Sequence, residues 1–137
     1  MTFTNPTDQQ IKEILHKYKR IAVIGLSNNP ARTSYMVSEA MQKAGYEIIP
    51  VNPMVDSVLG QKSYASLKDI DKEVDIINVF RRSEFVYDLA KEATEIKPKV
   101  FWTQLDVFDE DAAKLLQEHN ILTVMNRCIK VEHAKFK

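Results

Sequence analysis

Apolar residues fall into two alternating kinds of stretch along this chain. In the first kind they are short and nearly continuous: Ile21-Ala22-Val23-Ile24, Tyr46 to Val51, Val74 to Phe80, Val100 to Leu105 and Ile121 to Met125. Strands look like this when both faces of a parallel sheet are covered. In the second kind they recur every third or fourth position, as in Ile11, Ile14, Leu15 and Tyr18, and again in Val37, Ala40, Met41 and Ala44. That spacing gathers them on one face of a helix. Thr7 or Asp8 is placed to cap the first helix, and Gly45 to stop the second. Further helices are expected from about Ser83 to Ile96, and from an Asp109 cap to about His119. Asn52-Pro53 breaks the second strand, and residues 56–64 read as irregular with a short strand near Lys62 to Tyr64. Strands separated by one helix each imply right-handed crossovers. The pattern predicts an α/β chain, a Rossmann-like doubly wound and mainly parallel sheet with helices on both faces.

Composition narrows the function classes. The chain has 137 residues, 45% of them hydrophobic and 28% charged, which excludes a disordered tract, a collagen or a coiled-coil rod. No repeat or Gly/Ser-rich linker interrupts it, so residues 1–137 are expected to form a single domain. Lys+Arg and Asp+Glu both number 19, and no long block of one sign occurs, so nucleic acid is not an expected partner. No apolar run approaches the roughly 18 residues of a membrane span, and MTFTNPTDQQ lacks the features of an export signal. Cys128 is the only cysteine, which makes an intrachain disulfide impossible and a cytoplasmic location the expectation.

Candidate chemistry lies where the strands end, because ligands of open α/β sheets bind beyond the carboxyl ends of the strands. The loop after the first strand reads Gly25-Leu26-Ser27-Asn28-Asn29-Pro30-Ala31-Arg32-Thr33-Ser34. Gly25 permits a tight turn and close approach of a ligand to the backbone, and Asn28 and Asn29 tolerate left-handed geometry. Ser27, Thr33 and Ser34 offer hydroxyls, Arg32 a planar cation, and the following helix free N–H groups at its positive end. This set suits a phosphate; the other reading makes Ser34 an N-cap and the rest a solvated turn. The spacing is not Gly-x-Gly-x-x-Gly, and the tip of the second strand carries Asn52-Pro53 where dinucleotide enzymes place a carboxylate. Glu47 lies too early in the strand to replace it. The amide of Asn52 is suited to a base or ribose edge, and a nicotinamide cofactor is disfavoured.

At the later strand ends, Phe80-Arg81-Arg82-Ser83 combines an aromatic ring with two guanidinium groups suited to phosphate and base. Trp102-Thr103-Gln104 brings the only tryptophan and an amide to the same edge, as candidates either for the ligand or for the core. Cys128, Glu132 and His133 form a group near the C-terminus that reads as a structural cluster or, alternatively, as a nucleophilic dyad. It lacks an evident fourth metal ligand.

Together these segments resemble the small stand-alone CoA-binding domain family, related to the N-terminal domain of the succinyl-CoA synthetase alpha subunit. The resemblance runs from about Ile11 to Glu132. Its marks are Gly25-x-Ser27-x-x-Pro30-x-Arg32-x-Ser34, Gly45-Tyr46 leading to Pro50-Val51-Asn52-Pro53, and Val74-Asp75 leading to Phe80-Arg81. Trp102-x-Gln104-Leu105 and Arg127-Cys128 followed by Glu132-His133 complete them. The resemblance implies coenzyme A as cofactor, with Gly25, Ser27, Pro30, Arg32 and Ser34 at its phosphates and Asn52, Pro53, Phe80 and Arg81 around its nucleotide. One position departs: Asp106 stands where the family pattern has Gly after Trp-x-Gln-Leu. The function expected is binding of CoA or an acyl-CoA without catalysis, for sensing or delivery. The rival readings are an NAD(P)-binding oxidoreductase and a protein-interaction module with an empty nucleotide cleft.

Overall fold

The runs of β-branched and aliphatic residues form the sheet, and the amphipathic stretches pack on its two faces. In the computed structural model, which describes residues 3–136, α1 is Asp8–Lys17, β1 Arg20–Ile24, α2 Thr33–Lys43 and β2 Glu47–Val51. A small hairpin follows, β3 (Ser57–Val58) and β4 (Gln61–Lys62). Then come β5 (Ile76–Val79), α3 (Val86–Ile96), β6 (Val100–Thr103), α4 (Glu110–Glu118), β7 (Leu122–Val124) and α5 (Ile129–Ala134). The main sheet has the order β2-β1-β5-β6-β7, and every pair in it is parallel. The chain winds outward from β1 to β2, then returns across β1 to β5 and winds the other way. The doubly wound α/β expectation holds, and the direction reverses between β1 and β5, the place where such sheets open to ligands.

Side-chain alternation divides the core into two layers. Ala22, Ile24, Ile77, Val79 and Phe101 face one side with the alanines and Leu116 of α3 and α4. Ile21, Val23, Ile76, Val100 and Trp102 face the other with Ile11, Leu15, Val37, Met41 and Ile129. Phe101 and Trp102 are wholly buried on opposite faces of β6. Truncation of either to Ala is expected to cost about 3–5 kcal/mol.

Polar groups fix the register. Thr7 caps α1 in a capping box with Gln10, and Asp109 caps α4 through Ala112 N–H. Asp75 Oδ2 accepts from Lys19 N–H and Arg20 N–H, and its carbonyl from Lys99 N–H and Val100 N–H. One residue therefore aligns the amino ends of β1, β5 and β6. At the outer strand β7, the Asn5 amide donates to Met125 O and accepts from Met125 N–H, both at 2.8 Å.

Three local expectations are corrected. The stretch from Ser83 opens as a 3₁₀ turn, Ser83–Phe85, and becomes α-helical only at Val86. The VDIINVF strand is shorter than its apolar run, because Asp75 turns its polar atoms to the neighbouring strands. In 56–64, the strand expected near Lys62 to Tyr64 is instead a hairpin about Leu59 and Gly60, both at positive φ, with Tyr64 bridged singly to Val51. Among the described residues no helix is long and apolar enough to cross a membrane.

Candidate functional site

Gly25 leaves β1 with φ 82°, a left-handed conformation that disfavours any side chain. A Cβ built there would come within 2.6 Å of the Phe80 carbonyl oxygen. The close approach that requires glycine is therefore that of the β5 exit, and it brings the two loops of the switch point into contact. Gly25 N–H also donates to Val51 O at 2.9 Å, so the ends of β2, β1 and β5 are drawn together.

The rest of the loop is held by its own side chains. Ser34 Oγ accepts Ser27 N–H, Ser27 Oγ accepts Asn29 N–H, and Asn29 Oδ1 accepts Ala31 N–H, each at 3.0 Å. Asn28 and Asn29 keep negative φ; Asn29 shapes the turn through its side chain rather than by a left-handed backbone. Ser34 is not the N-cap of α2. That position is Arg32, and no side chain caps the helix. The first-turn N–H groups of α2 are thus open at its positive end.

Arg32, Thr33 and Ser34 line a cleft of about 570 Å³ that runs over the ends of β1, β5 and β6. Gly25, Phe80 to Ser83, Gln104 to Val107 and Cys128 line it as well. A second hollow of about 450 Å³ lies at the tip of β2, between Asn52-Pro53-Met54 and Leu67, Leu89 and Glu92. Gly25 and Arg81 border both. The Arg81 guanidinium lies 4.3 Å over the Phe85 ring, a cation–π contact that holds it while leaving its edge N–H groups free for an anion. Arg82 is exposed and pairs with Glu84 at 3.4 Å. Among the described residues neither Arg32 nor Arg81 forms an ion pair. Two uncompensated cations thus flank an uncapped helix end in a chain of zero net charge.

Other candidates serve the scaffold. Asn52 Nδ2 donates to Leu26 O and its Oδ1 accepts Met54 N–H, both at 2.9 Å, so its amide ties the β1 loop to the β2 tip. Gln104 lines the cleft, buried, with Oε1 accepting Ile129 N–H at 3.1 Å. Trp102 is corrected: it is wholly buried among core residues and its Nε1 donates to Arg127 O at 2.8 Å, so it does not reach the cleft. Residues two apart on a strand share a face, and only Gln104, nearer the strand's end, arrives at the edge. Ser27 and Pro30 line neither hollow.

The β6 exit, where Gln104 and Asp106 stand, is held in a tight turn. Gln104 to Val107 is a four-residue turn closed by Val107 N–H to Gln104 O at 3.1 Å, with Asp106 at φ 67°. A left-handed third residue is the mark of a type II turn, which favours Gly there. That preference is the signal by which the turn is legible.

The C-terminal group is dispersed. Cys128 precedes α5 and faces the cleft. Glu132 is buried and pairs with Lys135 at 2.9 Å, which holds the Lys135 ammonium above its usual pKa. His133 packs edge-on against Tyr46, whose hydroxyl donates to Leu15 O and whose pKa burial pushes up. No cluster of His, Cys, Asp and Glu among the described residues has the geometry to hold a metal ion.

A parallel sheet opened at β1/β5, with a basic cleft at its carboxyl edge, has its opening where open α/β sheets take ligands, and comparison with known proteins names the family. The chain belongs to the CoA-binding domain family, whose model matches residues 19–134. It is similar to the uncharacterized protein YneT of Bacillus subtilis (strain 168), 54% identical over 133 residues that span 97% of this chain and 98% of that one. A solved structure of a hypothetical protein from Pyrococcus horikoshii OT3 superposes with TM-score 0.92 at 34% identity, covering 99% of each chain. The alpha subunit of the ADP-forming acetate–CoA ligase II of Pyrococcus furiosus is 39% identical over 67 residues. That match takes in 48% of this chain and only 15% of the ligase subunit.

Proposed function

We propose that the chain binds coenzyme A or an acyl-CoA along the carboxyl edge of its sheet, without catalysing a reaction. The observation that carries this reading is the uncapped amino end of α2 beside the unpaired Arg32 and Arg81, at the switch point of the sheet. Charge-assisted hydrogen bonds contribute roughly 1.5–3 kcal/mol each and a helix N-terminus about 0.3–1, enough together to hold a diphosphate. The hollow at the β2 tip, walled by Pro53, Met54, Leu67 and Leu89, suits the flat base on one side of that diphosphate. The cleft toward Gln104, Asp106 and Cys128 suits an extended thiol-bearing arm on the other. Their volumes fall in the usual range of roughly 300–1,000 Å³ for small-molecule sites.

A binding role is favoured over catalysis by how the polar groups are used. Ser27, Ser34 and Gln104 accept hydrogen bonds from the protein backbone and Asn52 donates one to it, while the unpaired Arg32 and Arg81 are suited to hold charge rather than move protons. The ligase relatives are far longer proteins, and this chain matches only 10–15% of their length.

Calorimetric titration with CoA, acetyl-CoA, NAD and ATP tests the reading. A saturable CoA isotherm, tighter than that of NAD, is expected. A flat CoA trace up to millimolar overturns it, as does a preference for NAD, which would favour an oxidoreductase.

A further inference from the structure

We propose that Asp106 makes the cleft select against acyl-CoA thioesters whose acyl group ends in a carboxylate, in favour of neutral acyl groups. The inference rests on the CoA reading above and names the ligand class at the distal end of that site.

The cleft carries charge of both signs. Arg32 and Arg81 belong to the exits of β1 and β5, whereas Asp106 belongs to the exit of β6. Adjacent strands are about 4.8 Å apart, so two strand steps put the carboxylate roughly 10 Å from the β1 exit. Among the described residues the Asp106 carboxylate has no ion pair and no hydrogen bond, although arginines line the same cleft. Its charge is therefore not cancelled by the protein. Its backbone, in contrast, is fixed on both sides: Asp106 N–H donates to Asn126 Oδ1 at 2.7 Å, and Ser83 Oγ donates to Asp106 O at 3.5 Å. Ser83 Oγ also accepts Phe108 N–H at 2.9 Å, which anchors the turn to the β5 exit. On either side of Asp106, Leu105 and Val107 line the cleft, and Leu105 is 58% exposed. An unpaired negative charge thus stands on the β6 side of the cleft, with Leu105 and Val107 beside it.

A ligand with its diphosphate at Arg32 and Arg81 and its thioester near the β6 turn meets this arrangement. A neutral acyl chain finds Leu105 and Val107. An acyl chain ending in a carboxylate brings a second negative charge to a carboxylate that the fixed turn cannot withdraw. At about 5 Å the repulsion amounts to roughly a fourfold loss of affinity in bulk water, and more where the cleft excludes solvent.

Butyryl-CoA and succinyl-CoA match in carbon number and differ by the terminal carboxylate, so their titration into the full chain at low ionic strength isolates the effect. The wild type is expected to bind butyryl-CoA at least about fourfold more tightly than succinyl-CoA. In Asp106→Asn, whose amide keeps the shape and tolerates the same left-handed backbone, the ratio is expected to approach one. Equal affinities in the wild type, or a ratio unchanged in Asp106→Asn, overturn the proposal while leaving the CoA reading intact. Failure of free CoA to bind overturns the reading on which it rests.

Discussion

Replacing Gly25 with Ala tests whether the site is built on contact between two loops. The new methyl group meets the Phe80 carbonyl oxygen at 2.6 Å, a separation that real Cβ atoms do not show, and Phe80 N–H is itself hydrogen-bonded to Ile24 O at 2.9 Å. Neither loop can give way without parting β1 from β5. A side chain at φ 82° costs about 1–2 kcal/mol, and forcing a methyl group into packed surroundings typically about 1–3 more. The total, about 2–5 kcal/mol, is a large share of the roughly 5–15 kcal/mol that holds a typical domain together. Gly60→Ala is the internal control: φ is 77° there, but nothing lies within 4 Å of its built Cβ, so only the conformational cost applies. Urea denaturation of both variants measures the difference directly. Gly25→Ala should lose more stability than Gly60→Ala by at least about 1 kcal/mol, the lower bound of the packing cost. Equal losses would show that the Phe80 carbonyl yields freely, and the account of a rigid joint between the loops would fail.

Three further outcomes follow from the same geometry. Arg32→Ala should weaken CoA by about tenfold to a hundredfold, the worth of one charge-assisted contact, and calorimetry at two salt concentrations should find the loss smaller at the higher. Trp102→Phe orphans the Arg127 carbonyl and should cost about 1–3 kcal/mol of stability by denaturant titration, with a smaller effect on CoA affinity than Arg32→Ala; the reverse order would return Trp102 to the site. The hydroxyl of Tyr64 donates to Asp71, holding the carboxyl below its ordinary 3.8 and the phenol above its ordinary 10.0. A depressed carboxyl stabilises above its unfolded pKa and loses that contribution as pH falls through the folded one, whereas a raised phenol loses its contribution as pH rises through its own. The wild type should therefore exceed Tyr64→Phe in denaturation midpoint near neutrality and converge with it at both extremes; a gap independent of pH would refute the pairing.

The parts of the fold that were legible in the sequence are those in which one residue's role follows from its near neighbours. Ile21 to Ile24 had to be a strand buried on both faces, and Asp109 had to cap α4, because period and capping chemistry are local. The arrangement of the site, in contrast, depends on partners farther along the chain. Nothing near Gly25 reveals that its open space is taken by Phe80, and nothing near Ser34 or Asn52 shows that their polar atoms hold the loop together. The hairpin at 57–62 escaped notice because two-residue strands are too short to alternate, and Leu59-Gly60 is not an obvious turn pair. At the β6 exit, Trp102 and Gln104 share a face, and only the position of each relative to the strand's end separates core from cleft.

The amide of Asn5 holds both main-chain groups of Met125, standing in for a neighbouring strand just where the sheet would otherwise offer a sticky margin. One side chain from the leading segment thus acts as a guard against unwanted stacking of molecules. Proteolytic trimming ahead of α1 would lift that guard, and the first symptom would be self-association under crowded conditions rather than loss of the cleft over the β1 and β5 exits.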